Sequence, residues 1–464
     1  MVKIIYIAIN LMMIALLLGN GYPDYMDISF IRIILTTNFL SLLLFFFKNE
    51  PSPHLKGQSV RASFLFLIGF VIAHFQIYLD ILLGYLSEAN SILFINTRIA
   101  VKSLLISSIA FNAFCLGYVL NTKNIMHPKN NQSKPKYVNT RLLFYGVILL
   151  LLLYFSPISG PWSILFECAV SALLIIKARN LVILEGFNVD IKKTLLYFKE
   201  AIIPLSIYLL YLLSTGERGT IIFNVLFLTG VVLHVSNLKL GNIRMVIILF
   251  LVSSALTLIG IARKFEDKDS LIDKLRTALE TRETESSYRY PDSFSPSTKE
   301  LASSGRIVNI AVNEIENGVH HTYGIFFAQD LMLIIPSLRS TFVDVFSIPN
   351  NFIGSPEYFT HIDLGAHANW GVGTSCVADT YMDFGLLGIV IIFLLFGIFM
   401  RTIDLTIYRK EVPNFLLFTI SLLVLSYSVY ISRSSILYFL NKFPYIIIFA
   451  GSLILINKIR TRNT

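Results

Sequence analysis

Long apolar runs recur along most of the chain, separated by short polar segments. The hydrocarbon core of a bilayer is about 30 Å thick, which corresponds to about 20 helical residues. The pattern therefore predicts an all-α, polytopic integral membrane protein. No A-x-A-like cleavage site follows the first run, so it is interpreted as a span and not as a signal peptide. Twelve spans are predicted, near residues 4–19, 28–47, 63–84, 100–120, 142–157, 162–177, 201–214, 220–236, 245–262, 377–400, 415–431 and 435–457.

One segment is far longer than the other connections. The predicted spans divide the chain into nine N-terminal helices in 1–262, a loop in 263–376 and three C-terminal helices in 377–464. The loop has 114 residues and a net charge of −5, from 10 Lys and Arg against 15 Asp and Glu. Loops of this length are usually either functional or disordered.

Two stretches of this loop have apolar patterns of their own. "SSGRIVNIAVNEIENG" predicts an amphipathic helix that begins near Ser303 or Ser304 and ends at Gly318. "YGIFFAQDLMLIIPSLR" is mostly apolar but too short for a comfortable span. We expect the second stretch to lie in the outer membrane interface or to re-enter it.

The distribution of positive charge predicts the orientation. If the N-terminus is inside, alternation of the spans places 22 Lys and Arg in the inside segments and only a few in the short outside segments. The positive-inside rule then places both termini in the cytoplasm and the long loop outside. The same distribution accounts for the net charge of +9 without a nucleic-acid partner.

Three arginines on the outer side could bind phosphate. In "STGERGTIIF", Arg218 stands at the outer end of a predicted hairpin, where its planar fork and the start of the next helix both suit an anion. It could instead form a simple turn with Glu217. Arg306 in "SSGRIVN" and Arg339 after "IIPSL" are the other two candidates. A solvated face and an interfacial anchor are their respective alternatives.

Candidate bases and sugar contacts lie near the tenth predicted span. His367 has the side chain most suited to general base catalysis near neutral pH, although loop histidines are often only surface residues. Asp379 and Asp383 are four residues apart, so one helix face carries both carboxylates. Trp370 and Tyr323 could stack on sugars or anchor the chain at the interface.

No cofactor or metal is predicted. "DKD" at 267–269 matches a DxD metal motif, but such a match is common in a highly charged loop. The three cysteines form no metal or disulfide pattern, and no Walker A motif occurs.

Four motifs together resemble the O-antigen polymerase family, which is related to the O-antigen ligases. They are "GERG" before a span, "SSGRIVN" in the long outer loop, "HTYGIFFAQDLMLIIPSLR", and "GVGTSCVADTYMDFGLLGIVIIFLLFGIF". The last motif is the most specific. In it, Asp379 stands where the family has Glu and Asp383 where it has Asn. "HAN" with "DFGLLG", which includes His367 and Asn369, is similar to a ligase pattern but has longer spacing.

The resemblance implies a metal-independent glycosyltransferase with a GT-C-like architecture in the bacterial inner membrane. It would polymerise undecaprenyl-diphosphate-linked repeat units at the periplasmic face, with a chain-length regulator and a flippase as further partners. His367 is then the first candidate for the base and Asp379 the second. The candidate diphosphate ligands are Arg218, Arg306 and Arg339, and the candidate substrate contacts are Glu217, Tyr323, Asn369, Trp370 and Asp383.

Three other functions remain open. An O-antigen ligase would perform the same chemistry on a lipid A-core acceptor. A flippase or transporter would require charged residues in the middle of many spans and paired repeats. Few residues within the predicted spans are charged, and the exceptions Arg32, Asp80 and Lys102 stand near span ends. A structural subunit of a glycan-export complex has no specific sequence signal.

Overall fold

In the part of the chain that the structure describes, all regular structure is helical, apart from one isolated bridge between Val189 and Ser236. The predicted all-α class is therefore confirmed for the described part of the chain. The computed structural model describes residues 2–48, 55, 58, 60–87, 94–120, 137–158, 160–215, 217–236, 238, 293–295, 298–335, 337–349, 352–368, 370–409 and 414–463.

The helices follow the apolar runs of the sequence, and two short 3-10 turns, Met332–Ile334 and Tyr438–Asn441, interrupt them. The α-helices in the described residues are α1 Val2–Leu18, α2 Ile28–Lys48, α3 Ala62–Leu82, α4 Thr97–Val119, α5 Arg141–Phe155, α6 Trp162–Glu185, α7 Ile191–Tyr197, α8 Lys199–Thr215, α9 Arg218–Val235, α10 Lys299–Ala302, α11 Gly305–Glu316, α12 Ile325–Leu331, α13 Leu338–Val345, α14 Ser355–Leu364, α15 Cys376–Tyr408, α16 Phe415–Ile431 and α17 Phe443–Asn463.

Among the described residues, six helices are long and apolar enough to cross a membrane: α2, α3, α4, α9, α15 and α17. A seventh crossing results if α7 and α8, which meet at a bend of 79°, form one span. Helices α1, α5 and α16 are apolar but shorter. The predicted span 245–262 lies outside the described residues. The chain is thus a multi-pass membrane protein, while twelve crossings stay a prediction.

The tightest packing in the bundle joins α4 to α15. A Cβ atom at Gly117 would lie 1.9 Å from the Leu394 carbonyl oxygen, and one at Gly397 would lie 2.2 Å from the Phe114 carbonyl oxygen. The two backbones therefore touch where each helix has no side chain. Such close contact is a main source of helix association in lipid, because lipid tails are as apolar as the side chains.

A buried carboxylate fixes the C-terminal part of α15. Asp404 is fully buried and accepts a hydrogen bond from the Ala62 amide at 2.7 Å, at the start of α3. The hydroxyl groups of Ser63 and Tyr118 also donate to it. These bonds compensate a charge that would otherwise be costly to bury, and they join α3, α4 and α15.

The segment 298–364 packs on the other end of the bundle, which we call the loop end. Two charged residues of the spans hold this segment. Asp80 of α3 accepts a hydrogen bond from the Phe294 amide at 2.9 Å, and Lys102 of α4 forms an ion pair with Glu316 of α11. Asp80 and Lys102, two of the charges within the predicted spans, thus bind the loop.

The amphipathic helix predicted after Ser304 is confirmed as α11, and Gly318 follows it with a positive φ of 90°. Its apolar face packs against α3, α4 and α15. Ser304 occupies the N-cap position, but its side chain makes no capping hydrogen bond. Burial of the apolar face is therefore what fixes this helix.

A buried ion pair ties α6 to the segment before α17. The Lys442 ammonium contacts the Glu167 carboxylate, which also accepts a hydrogen bond from the Tyr208 hydroxyl at 2.7 Å. The same ammonium lies 5.3 Å from the centre of the Phe223 ring and 5.5 Å from that of Tyr427. This network connects α6, α8, α9 and α16.

The contact between α4 and α15 leads to a stability prediction. Gly117→Ala should destabilise the protein by about 1–3 kcal/mol, because the added methyl group meets backbone and cannot be accommodated by a rotamer change. Gly146→Ala in α5 is the matched control, since nothing lies within 4 Å of a Cβ atom there. Thermal unfolding in the same detergent checks both, and equal melting temperatures would contradict the predicted backbone contact.

Candidate active site

A break in α15 organises the loop end. Within "DFGLLG", Gly385 has φ 63° and ψ −157°, a backbone conformation that interrupts the helix and favours glycine. The break deprives the preceding carbonyl groups of their usual helical donors. The Met382 carbonyl oxygen instead accepts from the Thr322 amide at 2.9 Å, and the His321 Nδ1 atom lies 3.2 Å from it. Residues 321–327 are thereby attached to α15.

Asp383 completes this attachment. Its carboxylate accepts hydrogen bonds from the Phe326 amide at 3.2 Å, the Phe327 amide at 2.8 Å and the Thr322 hydroxyl. A carboxylate at the start of a helix satisfies free N–H groups and interacts favourably with the helix dipole. Asp383 thus caps α12 from a neighbouring helix, and its predicted substrate contact stays a prediction.

Asp379 lies one turn before Asp383 on the same face, as the spacing of four predicts. It is buried, and its Oδ1 atom accepts a hydrogen bond from the Thr374 hydroxyl. Its Oδ2 atom is also buried and has no hydrogen-bond partner among the described residues. This oxygen could accept a proton from a hydroxyl group that reaches it.

Asp330 of α12 is a neighbouring acid that the sequence interpretation missed. Burial is the main reason why the pKa of its carboxyl is raised to about 6. The Ser435 hydroxyl and Arg339 lower this pKa in part, and the nearby Asp383 raises it further. The segment 325–334 has ten residues and is too short to cross a membrane. A single acid inside "IFFAQDLMLII" was the signal that could have identified Asp330.

The predicted phosphate ligand Arg306 is engaged in an ion pair. Its guanidinium donates to Asp363 of α14 through Nε, at 3.0 Å, and through Nη2. The Asp363 side chain is only 3% exposed, so removal of the arginine would leave a buried carboxylate with less compensation. Arg306 connects α11 to α14, and phosphate binding by it stays a prediction.

Arg339 is engaged mainly with backbone. Its Nε atom donates to the Ile353 carbonyl oxygen at 3.1 Å, and its Nη2 atom donates to the same oxygen. The Glu357 carboxylate lies 4.0 Å away. Arg339 therefore holds the turn before α14 and contributes positive charge near Asp330.

Arg218 has a different environment. It is half-buried in the first turn of α9, and its side chain has no hydrogen-bond or ion-pair partner among the described residues. Glu217 precedes it at the N-cap position, is exposed, and makes no side-chain cap bond. The predicted simple turn between these two charges is therefore not supported by a contact between them.

Arg433 and Glu300 lie beside Arg218. The Arg433 Nη1 atom donates to the Glu300 Oε1 atom at 2.7 Å. Partial burial alone would raise the pKa of the Glu300 carboxyl, but Arg433 and, to a smaller extent, Arg218 lower it below its ordinary value. The Glu300 carboxylate is thus hydrogen-bonded to Arg433 and interacts electrostatically with Arg218 as well.

Residues 432–435, which follow α16, connect the two arginines Arg218 and Arg433 to the two acids Asp379 and Asp330. The Ser432 carbonyl oxygen lies 3.8 Å from the Cys376 sulfur, at the start of α15. Arg433 faces Glu300, and Ser435 lies at Asp330. The arginine pair and the buried acids are therefore two parts of one region at the loop end.

The remaining predicted residues are more peripheral. His367 is exposed, and no contact with Asp379 is found among the described residues. Tyr323 is 79% exposed and Trp370 49%. Asn369 lies outside the described residues. Their predicted roles stay predictions, as does that of Glu217.

The described residues contain no group of three or more His, Cys, Asp or Glu side chains that could hold a metal ion. The predicted DxD match at 267–269 lies outside those residues.

A bundle of apolar helices with buried acids and arginines at one end defines a multi-pass membrane protein with a polar site at that end. The family model for O-antigen polysaccharide polymerase Wzy matches residues 192–463, more than half of the chain. The chain belongs to this family, as its motifs predicted. No curated protein and no solved structure matches it. Membership indicates a polysaccharide polymerase with glycosyltransferase-type activity.

The environment of Asp330 leads to a prediction about pH. Its folded-state pKa of about 6 lies above the ordinary value near 4, so the folded chain holds a proton that the unfolded chain releases between these values. The contribution of Asp330 to stability therefore falls as the pH rises from about 4 to about 6. Asp330→Asn should gain stability relative to the wild type across this window, as measured by melting temperature.

Asp344→Asn is the control for this measurement, because Asp344 is exposed on the adjacent α13. Its melting temperature should follow that of the wild type over the same pH range. Parallel curves for Asp330→Asn and the wild type would contradict the raised pKa.

Proposed function

We propose that the protein polymerises undecaprenyl-diphosphate-linked oligosaccharide repeat units at the periplasmic face of the bacterial inner membrane. Family membership supports the polymerase activity, and the residues of the loop end support a phosphate-bearing donor. The proposal includes glycosyl transfer without a metal ion, twelve crossings and a GT-C-like architecture. A chain-length regulator and a flippase are its expected partners.

The observation that carries this proposal is the environment of Arg218. Arg306 and Arg339 already bind Asp363 and the Ile353 carbonyl group, whereas Arg218 has no such partner among the described residues. A guanidinium group matches two phosphate oxygens with parallel hydrogen bonds. The first turn of α9 adds free N–H groups and the positive end of an 18-residue helix.

These groups fit the requirements of the reaction. The acceptor hydroxyl attacks the anomeric carbon of the donor sugar, and the bond from that carbon to the diphosphate oxygen breaks. The diphosphate leaves with the electron pair, and Arg218 stabilises its charge. A base takes the hydroxyl proton, and the free Oδ2 atom of Asp379 favours this residue over the exposed His367.

The orientation of the site rests on charge. The predicted inside segments hold 22 Lys and Arg, and the segment with Arg218 is on the opposite side. The loop end, where residues 298–364 pack, then faces the periplasm. Both termini are cytoplasmic in this arrangement.

Removal of the Arg218 charge tests the proposal. The full chain in nanodiscs, with undecaprenyl-diphosphate repeat unit and no added metal, should produce a ladder of longer glycans on a gel. Arg218→Ala should lower the rate by about 10²–10³-fold, as expected for the loss of a donor to developing charge. Arg218→Lys should retain part of the activity, because it keeps the charge but loses the fork.

Arg98→Ala is the matched control, since Arg98 forms an exposed ion pair with Asp24 at 3.3 Å, at the start of α4. It should polymerise at the wild-type rate. A full ladder from Arg218→Ala would remove Arg218 from the mechanism. Glycan transfer only to lipid A-core, with no ladder, would indicate a ligase instead of a polymerase.

The identity of the base leads to a separate prediction. Asp379→Asn should lower the polymerisation rate by about 10²–10⁴-fold, the usual contribution of a general base. His367→Gln should change it little. Rates at saturating donor distinguish the two, with melting temperature as the measure of folding. The opposite ranking would assign the base to His367.

A further inference from the structure

Arg433 forms an ion pair with Glu300 and can exchange this partner for another anion. Their side chains are 23% and 67% exposed, and one bond at 2.7 Å joins Nη1 to Oε1. Exposed pairs of this kind typically contribute only about 0–1 kcal/mol to stability. The carboxylate can therefore be displaced by a stronger anion at small cost.

The start of α9 brings Arg218 to the same place. A Cβ atom at Gly219 would lie 3.2 Å from the Tyr430 hydroxyl, so the first turn of α9 packs against the last turn of α16. Arg433 follows that turn, and its amide donates to the Tyr430 carbonyl oxygen at 2.9 Å. The helix packing thus holds both arginines near Tyr430.

The backbone around Glu300 is fixed independently of the arginines. The Thr298 hydroxyl donates to Gln76 of α3 at 2.7 Å, and Gln76 donates to the Ser293 hydroxyl at 2.9 Å. Helix α10 packs against α3 as well. Departure of the Glu300 carboxylate then requires a side-chain rotation and no movement of α10.

We propose that Arg433 is a second ligand of the donor diphosphate and that Glu300 occupies its guanidinium group until the diphosphate displaces it. This inference rests on the proposed function, because it adds a ligand to the same site. A carboxylate offers two oxygens and one charge, whereas a diphosphate offers more of both to the same two arginines. Glu300 neutralises Arg433 while no substrate is bound, and it competes weakly with the substrate.

Binding of inorganic pyrophosphate to the full chain in nanodiscs tests this inference, with undecaprenyl diphosphate in a parallel series. Arg433→Ala should weaken binding of both by about ten- to a hundred-fold, the usual effect of losing a charged hydrogen bond. Arg433→Lys should recover part of the loss. Glu300→Gln should strengthen binding several-fold, because it removes the internal competitor.

The double variant Arg433→Ala with Glu300→Gln tests whether Arg433 is a ligand of the diphosphate or only a counter-ion of Glu300. If Arg433 contacts the diphosphate, the double variant binds at least tenfold more weakly than Glu300→Gln alone. If Arg433 only neutralises Glu300, the two variants bind equally, and the inference is wrong. Glu316→Gln, which breaks the ion pair with Lys102, is the control and should leave binding unchanged.

Failure of this inference differs from failure of the proposed function. Loss of binding in Arg218→Ala with unchanged binding in Arg433→Ala would retain the diphosphate site and reject Arg433 as its ligand. No binding and no ladder from folded wild-type protein would reject both. Binding of pyrophosphate without the lipid form would identify a site for free phosphates and would also overturn the inference.

Discussion

A backbone carbonyl group that loses its helical donor inside an apolar bundle must accept a hydrogen bond from another donor. The structure of the loop end depends on how this chain supplies that donor. The break at Gly385 frees the Met382 carbonyl group, and the Thr322 amide replaces the missing donor. In lipid each unsatisfied backbone group costs several kcal/mol, so the docking of 321–327 is strongly favoured. The position of Asp330 relative to Asp379 follows from this attachment.

The arginines at the loop end differ in the groups that they contact. Arg306 compensates a buried acid and Arg339 holds a turn, so both have protein partners with little exposure. Arg218 and Arg433 lie where the start of α9 meets the end of α16, and Arg433 pairs with the exposed Glu300. The arginines of the loop end therefore differ in their partners because of the groups that other parts of the fold bring to them.

Much of the fold could be predicted from the sequence, because it depends on local apolar patterns. Helix α16 has the predicted bounds 415–431, and α11 lies where an amphipathic period indicated it. The site could be predicted only in part. Neither the pairing of Arg306 with Asp363 nor the capping role of Asp383 has a local signal, since the partners are more than 50 residues apart. A pattern of hydropathy does not specify which distant charges meet.

The backbone contact between Gly117 and Gly397 also bears on motion. Helices α4 and α15 meet without intervening side chains, so no rotamer change can let one slide past the other. They form a rigid pair that keeps the Asp379 carboxylate at a constant depth. A glycan that lengthens with each cycle needs space that widens, and that space must come from helices outside this pair. Helices α7 and α8, which meet at a bend of 79° just before Arg218, lie outside this pair.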